Sequence, residues 1–151
     1  MKKVIILLVL FSSVLFVSAQ SVTEFKVITV VESIVPGGLG RSRLIENGTE
    51  LNINDFTTER TDGKSSDQGK IKRQNAKIDK FSEAKLLNFY SLAGINFQNI
   101  ASNDALITSK LNDVSKDGWE LAFVTSGVES EGGKGDGQGI FITRYIFKRN
   151  K

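Results

Sequence analysis

The stretch Asn103–Thr125, NDALITSKLNDVSKDGWELAFVT, decides the fold, because two periodicities meet inside it at a glycine. Ile107, Leu111 and Val114 recur at helical spacing and form one apolar stripe. Ser102 or Asn103 offers an N-cap oxygen, Asp104 sits in the first turn where negative charge is favoured, and Lys116 sits in the last turn where positive charge is. Gly118 stands where a left-handed residue ends a helix. Directly after it, Trp119, Leu121 and Phe123 alternate with Glu120, Ala122 and Val124, which is the period of a strand.

Toward the C-terminus, a glycine-rich segment from Gly127 to Gly139 leads to a second strand, Ile140 to Lys148. Strands joined in this way are most often antiparallel neighbours. Toward the N-terminus, Val22 to Val35 is rich in β-branched residues, with Phe25, Val27 and Val31 on one parity and Ile28, Val30 and Ile34 on the other. Apolar residues on both parities predict a strand covered on both sides. Pro36 to Gly40 reads as a turn, Arg41 to Glu46 as the returning strand, Asn47-Gly48 as a second turn, and Glu50 to Thr57 as another short strand.

Between these halves, Thr58 to Lys80 carries only Ile71, Ala76 and Ile78 as apolar residues. So little burial cannot offset the entropy of ordering, so a mobile polar insertion is expected there. Ser82 to Ala93 contains good helix formers, a cap at Ser82 and a stop at Gly94, and reads as a helix, with a strand as the alternative. The fold class is therefore α+β: an antiparallel sheet of about four or five strands with one or two helices packed on it. The second sheet face requires a cover, from Ser82–Ala93 or from a partner subunit.

Leu111-Asn112-Asp113-Val114-Ser115-Lys116-Asp117-Gly118-Trp119-Glu120-Leu121, followed by Arg144-Tyr145-Ile146-Phe147-Lys148-Arg149, resembles a family of small bacterial domains of unknown function. Its members carry "LN…GWEL" on a helix-to-strand turn and a last strand ending "Y…KR". The chain departs from that short pattern in its long middle, Glu50 to Asn99, and in its glycine-rich hairpin loop. A longer variant, in envelope proteins of Bacteroidetes-type bacteria, is similar to the whole mature chain. The resemblance implies a fold and no activity.

The first nineteen residues carry the pattern of an export signal. Lys2 and Lys3 precede the apolar runs Val4–Leu10 and Val14–Val17, and Val17-Ser18-Ala19 forms a small-residue exit before Gln20. Ser12 and Ser13 interrupt the run, which is shorter than the roughly 20 apolar residues of a spanning helix. The expectation is a cleaved signal, 1–19, and a single α+β domain, 20–151, in the periplasm or outside the cell, not integral to the membrane after cleavage. The 20 Lys and Arg against 17 Asp and Glu give a net charge of +3, and the two signal lysines account for two of those units. A balance so close to neutral argues against nucleic acid as the partner.

The chain has no histidine and no cysteine. That removes Ser-His and Cys-His nucleophile systems, nitrogen- and sulfur-ligated zinc, disulfides and a lipoprotein anchor. Gly132 to Gly139 fails as a phosphate loop, since Val128 stands where a first glycine is needed and Gly135 follows Lys134 in place of Ser or Thr. Neither that loop nor Asp62–Lys70 has the acid spacing of a calcium loop. The run Lys70-Ile71-Lys72-Arg73 lacks the interleaved aromatics that stack bases, and reads as a solvated loop. No cofactor signature and no metal site is found.

Two sets of residues remain as candidates. Arg41 and Arg43 share a strand face, and Arg144 joins them if the last strand pairs nearby, giving guanidinium groups for a carboxylate or phosphate. Glu24, Glu32, Glu46 and Glu120 are the acids from which a glycosidase-type pair would be drawn, although each reads first as an exposed strand residue. Trp119 and Gly118 read as structural, the former as a core plug. The expected function is a non-catalytic envelope or secreted binding module for a macromolecule or a small anion, with homo-oligomerisation open; the alternative is a carboxylate-based glycan hydrolase.

Overall fold

A computed structural model describes residues 22–33, 42–91, 93–129 and 139–151. In chain order the described elements are β1 (Thr23–Ser33), β2 (Arg43–Asn47), a one-turn helix α1 (Arg73–Ala76), β3 (Phe81–Lys85), β4 (Tyr90–Ser91), β5 (Gly94–Ile95), the long helix α2 (Phe97–Lys116), β6 (Glu120–Glu129) and β7 (Ile140–Asn150). Five strands form one antiparallel sheet in the order β3-β2-β1-β7-β6, and β4 and β5 form a small second sheet. The fold is α+β. The first and last strands are central neighbours, paired from Thr23↔Asn150 to Ser33↔Ile140.

Helix α2 covers one sheet face. Ile107 and Val114 from the helix are buried with Ile28, Val30, Leu44, Leu86, Trp119 and Phe147, and Leu111 packs against this cluster. The helix ends in a Schellman arrangement, with Trp119 N–H donating to Val114 C=O (3.3 Å) and Gly118 N–H to Ser115 C=O (3.0 Å). Gly118 takes φ +81°, open to glycine at little cost. Val114 and Trp119, at the two ends of that bond, are both in the core.

Four sequence expectations are corrected. Helix α2 starts at Phe97, with Asn96 as its cap accepting from Asn99 N–H (3.2 Å), so Asn103 is an interior helix residue. Ser82–Ala93 is not a helix: Phe81–Lys85 pairs with β2 from Asn47↔Phe81 to Arg43↔Lys85, because the inward alternation of Ser82, Ala84 and Leu86 matches a sheet. Glu50–Thr57 contains a 3₁₀ turn, Ile53–Phe56, where the Asn52 side chain accepts from Asn54 N–H (3.1 Å). Most consequentially, among the described residues β1 is covered on one face only, and Ser82–Lys85 lies in the sheet and does not cover the other.

The polar insertion holds a 3₁₀ turn at Asp67–Lys70 and α1, neither with a buried residue. The export signal, Arg41 and most of the glycine-rich loop lie outside the described residues. Among the described residues no helix is long and apolar enough to cross a membrane.

Candidate functional site

The registers assign each strand residue to one of two faces. On β1, Ile28 and Val30 point toward α2, so Phe25, Val27, Thr29 and Val31 point away from it. Pairing carries the outward set across the sheet. Thr29 is opposite Ile45 on one side and Arg144 on the other, Ile45 is opposite Glu83, and Arg144 is opposite Thr125. One cross-strand row on the outer face therefore reads Glu83, Ile45, Thr29, Arg144, Thr125.

The adjacent row contains Val27, Ile146 and Phe123, with Phe81 and Asn47 paired at its far end. A bulge between Leu121 and Phe123 shifts the register of β6, which turns Phe123 outward and leaves Leu121 on the helix side. The strand pattern read from sequence placed those two residues on one face. Phe25 is 64% exposed, Phe123 62% and Val27 43%. Strands about 4.8 Å apart and rising about 3.4 Å per residue give this face a plan area of roughly 650 Å². Single exposed apolar residues are ordinary, but Phe25, Val27, Ile146 and Phe123 stand together on this face, among Arg43, Glu83, Lys85, Arg144 and Lys148, and this apolar cluster is the candidate contact surface.

Charge on this face is unevenly paired. Arg43 lies 3.7 Å from the Glu83 carboxylate and donates to the Ser42 carbonyl (2.8 Å), and Lys148 lies 3.7 Å from Glu120. Arg144 has no acidic partner among the described residues, and its cross-strand neighbours are two threonines. Arg43 and Arg144 share the outer face but are separated by β1 and two residues of register, about 12 Å between Cα positions by strand spacing. The two guanidinium groups therefore occupy separate places on one surface, and Arg41 lies outside the described residues.

Three of the four candidate acids do not sit where strand patterning put them. Glu24, Glu32 and Glu46 lie on the helix side, each bonded to a neighbour. Arg149 grips Glu24 through Nε and a terminal nitrogen, both at 2.9 Å, and its hydrogen bond holds that carboxyl below the usual range, with Lys151 adding to the effect. Burial pushes Glu46 up, but hydrogen bonds from Lys110 and from Lys26 (3.1 Å) outweigh it and leave the carboxyl lowered. Glu32 is raised by burial, opposed by a hydrogen bond from Asn103 Nδ2 (2.8 Å) and reinforced by the charge of Asp104. Glu120 is exposed beside Lys148. Glu24 and Glu46, held ionised by these cations, lack the proton that a general acid gives near neutral pH.

A cleft of about 740 Å³ opens at the end of the sheet beside Trp119, lined also by Glu24, Lys26, Thr49, Asp117 and Arg149. Trp119 is 6% exposed, and its ring is flanked by Lys26 at 5.0 Å and Arg149 at 4.2 Å. Both cations are already paired with glutamates, so the cleft offers a ligand no unpaired cation; its exposed aromatic is Phe25, which stands at the edge shared with the outer sheet face. This cation–tryptophan stack was hidden in the sequence, because Lys26, Trp119 and Arg149 come from three distant segments. Among the described residues no group of three or more acids converges in a way that would hold a metal ion.

No family model matches the chain, and neither does any curated protein or solved structure. The outer sheet face, with its exposed aromatics and single unpaired guanidinium, is the candidate site.

Proposed function

We propose that the chain is an exported, non-catalytic interaction module whose working surface is the outer sheet face, and that it binds a protein presenting apolar side chains and a carboxylate. One observation carries this reading: Phe25, Val27 and Phe123 stand exposed on a sheet face that no described element covers. Arg144 gives the surface its polar specificity, because a guanidinium set among apolar and hydroxyl side chains binds a carboxylate in a fixed geometry. The signal-like N-terminus and the lack of histidine and cysteine support export and contact over bond-breaking. The family resemblance of Leu111–Leu121 and Arg144–Arg149 adds no activity.

The test is recovery of partner protein from an envelope extract by the immobilised chain, compared with Phe25→Ser/Phe123→Ser and with Arg144→Ala. Loss of at least about tenfold in bound partner is expected for the double aromatic variant, as for removal of central aromatic anchors. Equal recovery by all three proteins would refute the proposal.

A further inference from the structure

We propose that the cleft beside Trp119 is a docking slot for an extended, basic segment of a partner protein, which adds to β1 as a strand where β2 turns away. This goes beyond the outer-face reading, with which it shares only Phe25 and Val27.

The slot is a gap in the sheet. β1 pairs with β7 along its whole length, from Thr23↔Asn150 to Ser33↔Ile140, but with β2 only from Ile28↔Glu46 to Val31↔Arg43. After Asn47 the chain leaves in a turn closed by the Asn47 side chain, with Thr49 N–H donating to Asn47 Oδ1 (3.0 Å) and Asn47 Nδ2 donating to Thr49 C=O (2.6 Å). Among the described residues no strand stands beside Thr23 to Val27 on that side. Backbone direction alternates along an antiparallel strand. Lys151 N–H donates to Val22 C=O on the β7 side, whereas Ser33 turns the other way, its N–H to Ser42 Oγ and its C=O to Phe89 N–H. By that alternation Phe25 directs both its N–H and its C=O into the gap, where no strand meets them.

The cleft has the volume of the missing strand. It measures about 740 Å³, and four strand residues, at about 3.4 Å rise, 4.8 Å spacing and 10 Å layer thickness, take up about 650 Å³. A segment in the place that β2 vacates runs antiparallel to β1. Its residue opposite Phe25 exchanges both backbone bonds with it and lays an apolar side chain against that 64% exposed ring. The residues on either side of it turn toward Trp119 and the end of α2.

Charge selects the segment. Three of the five charged residues lining the cleft are acids, Glu24, Glu50 and Asp117. Lys26 and Arg149 are held by Glu46 and Glu24, whereas Glu50 and Asp117 are exposed and make no ion pair among the described residues. Asp117 also caps the C-terminal end of α2, where the helix dipole favours a cation. A lysine or arginine on the helix-side positions of the added strand therefore meets unpaired carboxylate, while main-chain bonds supply affinity as in other strand-addition complexes.

Trp119 is the only tryptophan in the chain and lines the cleft, so its fluorescence reports occupancy directly. The probe is a capped hexapeptide alternating valine and lysine, titrated into the purified protein, and it should bind with a Kd below about 1 mM. N-methylation of the valine nitrogens, which face β1, should weaken binding at least about tenfold, and N-methylation of the lysine nitrogens should leave it within about threefold. A valine–glutamate hexapeptide should bind at least about tenfold more weakly than the valine–lysine one, and Glu50→Lys/Asp117→Lys should reverse that order, which also shows that the variant had folded. No binding at about 1 mM peptide, equal effects of the two methylations, equal binding by lysine amide alone, or an order that survives the charge exchange would each overturn the slot. None of these changes touches Phe123 or Arg144, so such a failure leaves the outer-face reading standing.

Discussion

Glu32 shows how a single side chain couples the helix, the sheet and pH. It sits half-buried on the helix face, accepting from Asn103, with the Asp104 carboxylate nearby and Tyr145 close enough that Glu32 helps raise the phenol. Burial makes its ionised form costly in the folded protein, so its folded pKa exceeds the unfolded value of about 4.3. The stability it contributes is therefore complete below about pH 4 and is lost as pH rises through the folded pKa. Glu46 runs the other way: its carboxyl is lowered, so its contribution is present above about pH 4.3 and disappears as pH falls through the folded value. Glu32→Gln keeps an oxygen for Asn103 and removes the charge. Its urea midpoint should match the parent at about pH 3.5 and exceed it at pH 7; an equal difference at both pH values would contradict this assignment.

At the scale of elements, Asn103 does more than its place in the sequence suggests. As an Asn between polar residues ahead of an apolar stripe it reads as a helix cap. In the fold it is 0% exposed, and its amide spans from the helix to the segment after β3, accepting from Leu87 N–H (2.8 Å) and donating to Leu87 C=O (2.7 Å). That segment leaves the sheet at Leu86 and needs partners for its backbone, which a buried amide supplies in both directions. Asn103→Ala should lower unfolding free energy by about 2–4 kcal/mol, since it orphans buried donors and acceptors. Denaturant titration checks it, and a loss below about 0.5 kcal/mol would show that water replaces the amide.

The same contrast explains which elements were legible. The end of α2 and the strands β1, β2, β6 and β7 were readable, because glycine conformation and side-chain periodicity are local. The start of α2, strand β3 and the outward turn of Phe123 were not: a cap competes with a tertiary hydrogen bond, Ala84 and Leu86 gain a sheet partner only from β2, and the β6 bulge leaves no mark in composition. Of the candidate site, parity gives only that Arg41 and Arg43 share a strand face; the place of Arg144 on the face of Arg43, the Glu83–Arg43 contact and the exposure of Phe25 need the strand order.

On the scale of the molecule, the sheet has an apolar residue type on both faces and a helix on one. Layered folds bury each apolar face against another layer, and among the described residues the outer face has none, which is the ground of the proposed contact function. The absence of cysteine makes this accessible to one direct experiment: a single introduced thiol is unique. In the purified protein, thiol labelling of Val27→Cys on the outer face is compared with that of Ser109→Cys on the solvent side of α2, with and without envelope extract. Val27→Cys should label more slowly when envelope extract is added, while Ser109→Cys keeps a constant rate. Constant rates at both positions, in both conditions, would contradict an outer face that works by contact.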